Sequence, residues 1–244
     1  MTAFPPFSNF KTNVSQQLLE LFENRGIIGH DIDTILLSVD EKGSSEVSEM
    51  LKSGKRWDAI IHLGLAVRRQ KISLEKYAMN KSQFKVKDNS NRKSEGVIIP
   101  GADELQKTTA SIHVLDEEFE NENRVVWSDD AGGFVCNETI FRTLNTIREL
   151  EINLKSDKLI PAIFIHLPPS KFIDLESQFD LVTRAVKTIA NRPILEVVGA
   201  LIRDSKGRIL SCRRPSNDVW GGWWELPGGK VDVGEKQNQA LRRE

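Results

Sequence analysis

The chain has 244 residues, with 34 Lys and Arg against 35 Asp and Glu, a formal net charge of -1. That balance argues against a general electrostatic grip on nucleic acid or on an anionic membrane, and no run approaches the about 18 apolar residues of a membrane-spanning helix. Only two cysteines occur, Cys136 and Cys212, and no basic-then-apolar signal opens the chain, which excludes a disulfide framework or a CxxC metal pair and points to a reducing, cytoplasmic setting.

In chain order, residues 13–25 carry Val14, Leu18, Leu21 and Phe22 at helical spacing, with Gly26 as the stop. Residues 34–39 form a short apolar run that reads as a buried strand, and residues 57–63 repeat the pattern. The polar, Lys-rich stretch 81–100 and the acidic stretch 116–122 read as solvated surface. Residues 125–127 and 162–166 are two further strands, and helices are expected over 138–155 and 175–191. Apolar strands alternating with amphipathic helices imply an α/β fold on a mixed, largely parallel central sheet with helices on both faces. Beyond Asn191-Arg192-Pro193 the composition changes, and a domain boundary is placed near Arg192, giving domains 1–192 and 193–244. There, residues 195–202 and 208–212 are strand-like and flank the hairpin turn 204–207, and Trp220, Trp223 and Trp224 cluster just beyond.

Chemistry concentrates in three places. In Ser128-Asp129-Asp130-Ala131-Gly132-Gly133-Phe134-Val135-Cys136-Asn137, a strand and a glycine turn lead into a helix expected near Asn137. A thiol there meets unpaired N–H groups and the positive end of the helix dipole, which favour thiolate. A lone cysteine is more often an inert core thiol. His166 ends the apolar strand Ala162-Ile163-Phe164-Ile165-His166 before Leu167-Pro168-Pro169, where catalytic side chains of α/β sheets project; singly, such a histidine is more often structural. Glu75, in Ile72-Ser73-Leu74-Glu75-Lys76-Tyr77-Ala78-Met79-Asn80, would alone be an ordinary surface carboxylate. Together the three supply a nucleophile, a base and an orienting acid.

Residues 1–192 resemble the pyroglutamyl peptidase I (pyrrolidone-carboxylate peptidase) family of cytosolic cysteine peptidases. Thr2-Ala3-Phe4-Pro5-Pro6-Phe7-Ser8 is similar to the family's T-G-F-x-P-F-G, and Asn13-Val14-Ser15 to its N-P-S. Ile61-His62-Leu63-Gly64 resembles the block before the catalytic acid. Glu75 with Ala78 and Asn80 resembles E-x-x-A-x-N, and Asp88-Asn89 resembles D-N. The resemblance implies that Cys136 attacks the carbonyl of an N-terminal pyroglutamyl residue, that His166 is base and then acid, and that Glu75 holds the imidazole. Backbone N–H groups around Cys136 would be the oxyanion donors, 5-oxoproline would be released, and no metal or cofactor would be used. It also implies a ring pocket from Phe4, Phe7 and Phe134, although a packing role stays open for each, and places Lys85 where many members carry an arginine near the site. Its partners would be N-terminally pyroglutamylated peptides, with no nucleic acid or membrane, and homo-oligomerisation is left open. Met1 directly precedes Thr2, where the family has a strand, so either the start is misplaced or that first strand is missing; Ala3, Ser8 and Leu65 also depart from its pattern.

The C-terminal residues Trp224-Glu225-Leu226-Pro227-Gly228-Gly229-Lys230-Val231, followed by Gly234-Glu235 and Arg243-Glu244, are similar to the first part of a Nudix box. In a complete Nudix domain Glu235 and Glu244 would ligate Mg²⁺ against a diphosphate. The second acidic pair of the box is not in the sequence, so no competent metal site is expected here. The alternative to a peptidase is therefore a Nudix-type diphosphate hydrolase in a longer protein, with a degenerate peptidase domain kept as a binding module.

Overall fold

The computed structural model describes residues 1–8, 10–154, 158–190, 197–216, 221–231 and 235–243. The chain divides into two units, Met1–Asn191 and Arg192–Glu244. In the first, the order is β1 (Thr2–Ala3), α1 (Val14–Arg25), β2 (Ile35–Leu36), α2 (Glu41–Lys52), β3 (Ile60–Leu65), β4 (Ile72–Glu75), β5 (Tyr77–Met79), β6 (Ser82–Gln83), β7 (Glu95–Gly96), β8 (Leu105–Lys107), α3 (Ile112–Phe119), β9 (Val125–Ser128), α4 (Val135–Glu149), β10 (Ala162–Leu167) and α5 (Leu175–Ala190). One sheet of order β2-β1-β3-β10-β4-β9 organises it. The first four strands run parallel; β4 is antiparallel to β10, and β9 is parallel to β4. The sheet is thus mixed and mostly parallel, with helices on both faces.

The strand period of two does the sorting. On β10, Ile163, Ile165 and Leu167 enter an apolar cluster with Val14, Leu18 and Phe22 of α1, Leu115 and Phe119 of α3, and Leu181 and Val182 of α5. Ala162 and Phe164 enter the opposite cluster with Val47 and Leu51 of α2 and Ile140, Phe141 and Leu144 of α4. A strand buried on both faces reads as one apolar run, and for that reason β10 is plain in the sequence. Local signals act at helix ends. Asn13 caps α1 by accepting from Ser15 N–H at 2.9 Å, and Gly26, at φ 64°, closes it.

Several expectations need correction. The run 34–39 yields only two paired residues, at the sheet edge, where Leu36 is 46 % exposed. A strand with one neighbour leaves its other side open. At the N-terminus, Thr2–Ala3 takes the place between β2 and β3 as a two-residue strand. The stretch 81–100 is more than solvated loop, because it forms β6 and β7 and buries Phe84, Asp88 and Ile98. Asp88 accepts from the N–H groups of Ser90 and Arg92 and pairs with the Arg92 guanidinium, which folds the stretch on itself. The acidic stretch is largely exposed, as expected, but it is helical through α3 and buries Phe119.

His62 on β3 is wholly buried and hydrogen-bonds Thr2 Oγ1 (2.7 Å) and Thr143 Oγ1 (3.1 Å). Burial, with the Met1 ammonium as second cause, holds its pKa down to about 3 from 6.5. The folded chain therefore resists a proton that the unfolded chain accepts below 6.5, so stability must fall as pH falls from there towards 3. Between pH 7 and pH 5 this one residue should cost about 2 kcal/mol. Urea midpoints at the two pH values check it: the loss should shrink in His62→Gln, and an equal loss in the variant would refute the assignment.

In the second unit, β11 (Val197–Gly199), β12 (Cys212–Arg213), β13 (Trp224–Glu225), β14 (Gly228–Lys230) and α6 (Gln237–Arg243) follow in order. The turn at 204–207 forms, with Asp204 Oδ1 accepting from Lys206 and Arg208 N–H and Gly207 at φ 78°. The flanking strands diverge after the Arg203–Ile209 bridge: β11 pairs with β14, and β12 with β13. Trp223 and Trp224 are exposed, while Trp220, Leu195 and the boundary residue Arg192 lie outside the described residues.

Candidate active site

Glu75 closes β4, and His166 is the penultimate residue of β10. Ser73 lies directly opposite His166 in the antiparallel register, so Glu75, two residues on, shares its face as a diagonal neighbour. Long side chains bridge that diagonal: His166 Nδ1 and Glu75 Oε1 are 2.7 Å apart, with the residues 6 % and 1 % exposed. The two are 91 residues apart in sequence. Arg69 Nη1 donates to the same Glu75 oxygen, while Glu75 Oε2 has no partner among the described residues.

Cys136 arrives from the opposite direction. Helix α4 starts at Val135, earlier than the expected Asn137, which makes Cys136 its second residue. Phe134 is the N-cap and gives no side-chain cap; Asn137 N–H donates to Phe134 O (3.0 Å), and the N–H groups of Val135 and Cys136 are left without a partner among the described residues. Asn137 locks this end of the helix to β5, accepting from Met79 N–H (2.9 Å) and donating to Met79 O (2.8 Å) and Lys81 O (3.0 Å). The thiol rests over Gly64: a Cβ built on that glycine would lie 3.1 Å from Cys136 Sγ. Gly64 is the residue paired with His166 across β3 and β10, so sulfur and imidazole converge on one point of the sheet. No hydrogen bond joins Cys136 to His166 among the described residues; such bonds often tighten only with substrate bound.

The expectation of a favoured thiolate is overturned. Burial first, and the Glu75 charge second, push the Cys136 thiol up to about 12, against a smaller downward pull from its own backbone N–H and from Arg69. One helix end does not offset desolvation plus a nearby anion. In this environment the neutral thiol is favoured over the thiolate.

Of the expected ring-pocket residues, Phe7 and Phe134 meet at 6.0 Å between ring centroids, joined by Phe84 at 4.6 Å from Phe134. Phe4 departs from that expectation: it is 3 % exposed and stacks on Phe164, the packing role left open for it. Lys85 is exposed on the segment after β6 and has no hydrogen bond or ion pair with a described residue. The organised cation of that segment is Arg92, which lies 4.8 Å over the Phe84 ring and bonds Asp88 (2.8 Å) and Glu138 (2.7 Å). Phe84, Arg92, Arg69 and Gly64 were not singled out as site residues from sequence. Only the proximity of Arg69 to Glu75, six residues on, offered a signal.

In the second unit Glu235 pairs with Arg243 at 3.0 Å, and Glu244 lies outside the described residues. Among the described residues no three His, Cys, Asp or Glu side chains are grouped to hold a metal ion. The described donors do not fit Mg²⁺.

A thiol, an imidazole and a buried carboxylate converging over the central strands of an α/β sheet suit nucleophilic acyl transfer, the chemistry of a cysteine peptidase. The chain belongs to the pyroglutamyl peptidase family, whose model matches residues 1–190; a NUDIX domain model matches residues 193–244. The pyrrolidone-carboxylate peptidase of Thermoanaerobacter sp. strain X514 is 26 % identical over 202 residues, covering 79 % of this chain and 97 % of that relative. The crystal structure of pyrrolidone carboxyl peptidase from Thermus thermophilus superposes with a TM-score of 0.63 at 26 % identity, over 77 % of this chain and 97 % of that one. Pyroglutamyl peptidase I from Bacillus amyloliquefaciens gives a TM-score of 0.67 at 24 % identity, over 78 % of this chain and 93 % of that one, a likeness of fold. No helix among the described residues is long and apolar enough to cross a membrane.

Proposed function

We propose that residues 1–192 form a peptidase domain that removes an N-terminal pyroglutamyl residue from peptides through a thioester on Cys136, and that residues 193–244 belong to a separate Nudix domain. The observation that carries this reading is the buried 2.7 Å contact of Glu75 with His166, beside the helix that bears the thiol. Glu75 on Nδ1 leaves Nε2 as the nitrogen that takes the Cys136 proton during attack and returns it to the leaving amine. With the neutral thiol favoured, attack and proton transfer are coupled. Oxyanion stabilisation falls to the unpaired N–H groups at the head of α4.

The pyroglutamyl ring is a neutral lactam, and the aromatic surfaces of Phe7, Phe134 and Phe84 suit its flat, weakly polar faces. No metal or cofactor enters this chemistry. Cys136 and Cys212 are both unpaired, which suits a cytoplasmic setting.

The test is amine release from a chromogenic pyroglutamyl amide, with acid-quenched samples digested for mass analysis. A 5-oxoprolyl thioester on the Cys136 peptide is expected. No release, or release unaffected by alkylating Cys136, would overturn the reading.

A further inference from the structure

We infer that Arg69 is a positioning residue of this site, its guanidinium joining the carboxylate that orients the base to the loop that delivers the nucleophile. The inference rests on the proposed peptidase reading. One arm, Nη1, donates to Glu75 Oε1, the oxygen that also faces His166 Nδ1 at 2.7 Å. The other arm, Nη2, donates to the Asp130 carbonyl at 2.7 Å. Asp130 heads the loop that runs to Cys136, and its Oδ1 accepts from Gly132 N–H at 2.7 Å, where the chain takes φ 83°. One planar group therefore ties the end of β4 to the turn between β9 and α4.

The fold builds this link from the turn after β3. Ala66 N–H donates to Leu167 O (2.8 Å) and Arg69 N–H to Ala66 O (3.0 Å), folding the turn over the end of β10. Arg68 beside it points to solvent, while the Arg69 side chain is only 28 % exposed. A surface ion pair is usually worth little. This one differs because its acid is 1 % exposed with a second oxygen unpartnered, so removing the cation strips a buried carboxylate of half its donors. The charged groups facing the thiol among the described residues are Glu75, Arg69 and, when protonated, His166; neighbouring Lys76 pairs with Asp129 at 3.7 Å. Arg69 opposes the influence of Glu75 on the thiol. Without it, the thiol should hold its proton to higher pH.

The experiment compares wild type, Arg69→Ala and Arg69→Lys in two assays. In turnover of a pyroglutamyl amide, Arg69→Ala should lower kcat by about 10- to 100-fold with little change in KM, and move the acid limb of the pH profile upward. Arg69→Lys should restore the limb but only part of kcat, because a point charge cannot span both acceptors. Added guanidinium should partly rescue Arg69→Ala. The second assay needs no substrate: the pH dependence of Cys136 alkylation by iodoacetamide, with exposed Cys212 as internal control. Cys136 in Arg69→Ala should react about tenfold more slowly at a given pH, with Cys212 unchanged. A purely structural role would lower the melting point and leave both pH profiles in place, and that result overturns the inference. If the wild type fails to turn over the amide, the peptidase reading falls, while the alkylation profiles still decide the role of Arg69.

Discussion

Cys136→Ala is expected to lose amine release from a pyroglutamyl amide by about 10⁴-fold or more while remaining folded. The loss is large because no other described group can take the place of the sulfur. His166 and Glu75 can move a proton but are hydrogen-bonded to each other, and Cys212 is an exposed residue of the second unit. The fold survives because the substitution removes one atom from a half-buried position without stranding a hydrogen-bond partner: no hydrogen bond joins the thiol to His166 among the described residues. Melting temperature and near-ultraviolet dichroism should match the wild type. Retention of a tenth of the activity in Cys136→Ala would assign the nucleophile elsewhere, and Cys212→Ser should leave turnover intact.

The second large effect is expected at Gly64. A methyl group there would stand 2.7 Å from Phe164 Cζ, 2.8 Å from Cε1 and 3.1 Å from Cys136 Sγ. The ring cannot yield easily. Phe164 is fully buried between Phe4, His62 and His166, at centroid distances of 6.5, 6.0 and 4.6 Å. Gly64→Ala should therefore cost about 1–3 kcal/mol in overpacking. It should also displace the thiol from its seat, lowering kcat by about 10²-fold. Adding Phe164→Leu separates the two contributions: room on the ring side should recover stability, while the sulfur contact keeps turnover low. Wild-type melting and turnover in Gly64→Ala would show that the thiol sits elsewhere during catalysis.

What could be read from sequence follows the range of the interactions. Strand β10 and helices α1 and α5 announce themselves through local periodicity and caps, and the glycine turn before Cys136 is likewise local. Strand β4 is not readable this way. Its four residues, Ile72-Ser73-Leu74-Glu75, are too few to establish a period, and their pairing with β10 is a long-range event. Without β4 in place, Glu75 looks like a surface acid; with it, the carboxylate is buried against His166. The preference for the neutral thiol was hidden for the same reason, since the helix end that favours thiolate is local, whereas burial and the Glu75 charge are tertiary. Arg92 and Phe84 lie in a stretch whose composition says only polar, and Asp88 and Glu138 organise it through contacts that composition does not encode. The motif resemblances reached further because they carry tertiary information in short strings. Asn80 is an example: it bonds the backbone of Ile98, Ile99 and Ala102, a structural duty behind a residue that looked merely adjacent to the acid.

The two-faced sorting of β10 has a consequence for how activity depends on folding. His166 shares its face with Phe164, while Ile165 and Leu167 face the layer of α1 and α5. A slip of one residue would send the imidazole into that hydrocarbon layer and turn isoleucine towards the sulfur. Turnover is therefore a proofreading signal for strand alignment: a misthreaded sheet, however well collapsed, has no base within reach of its nucleophile.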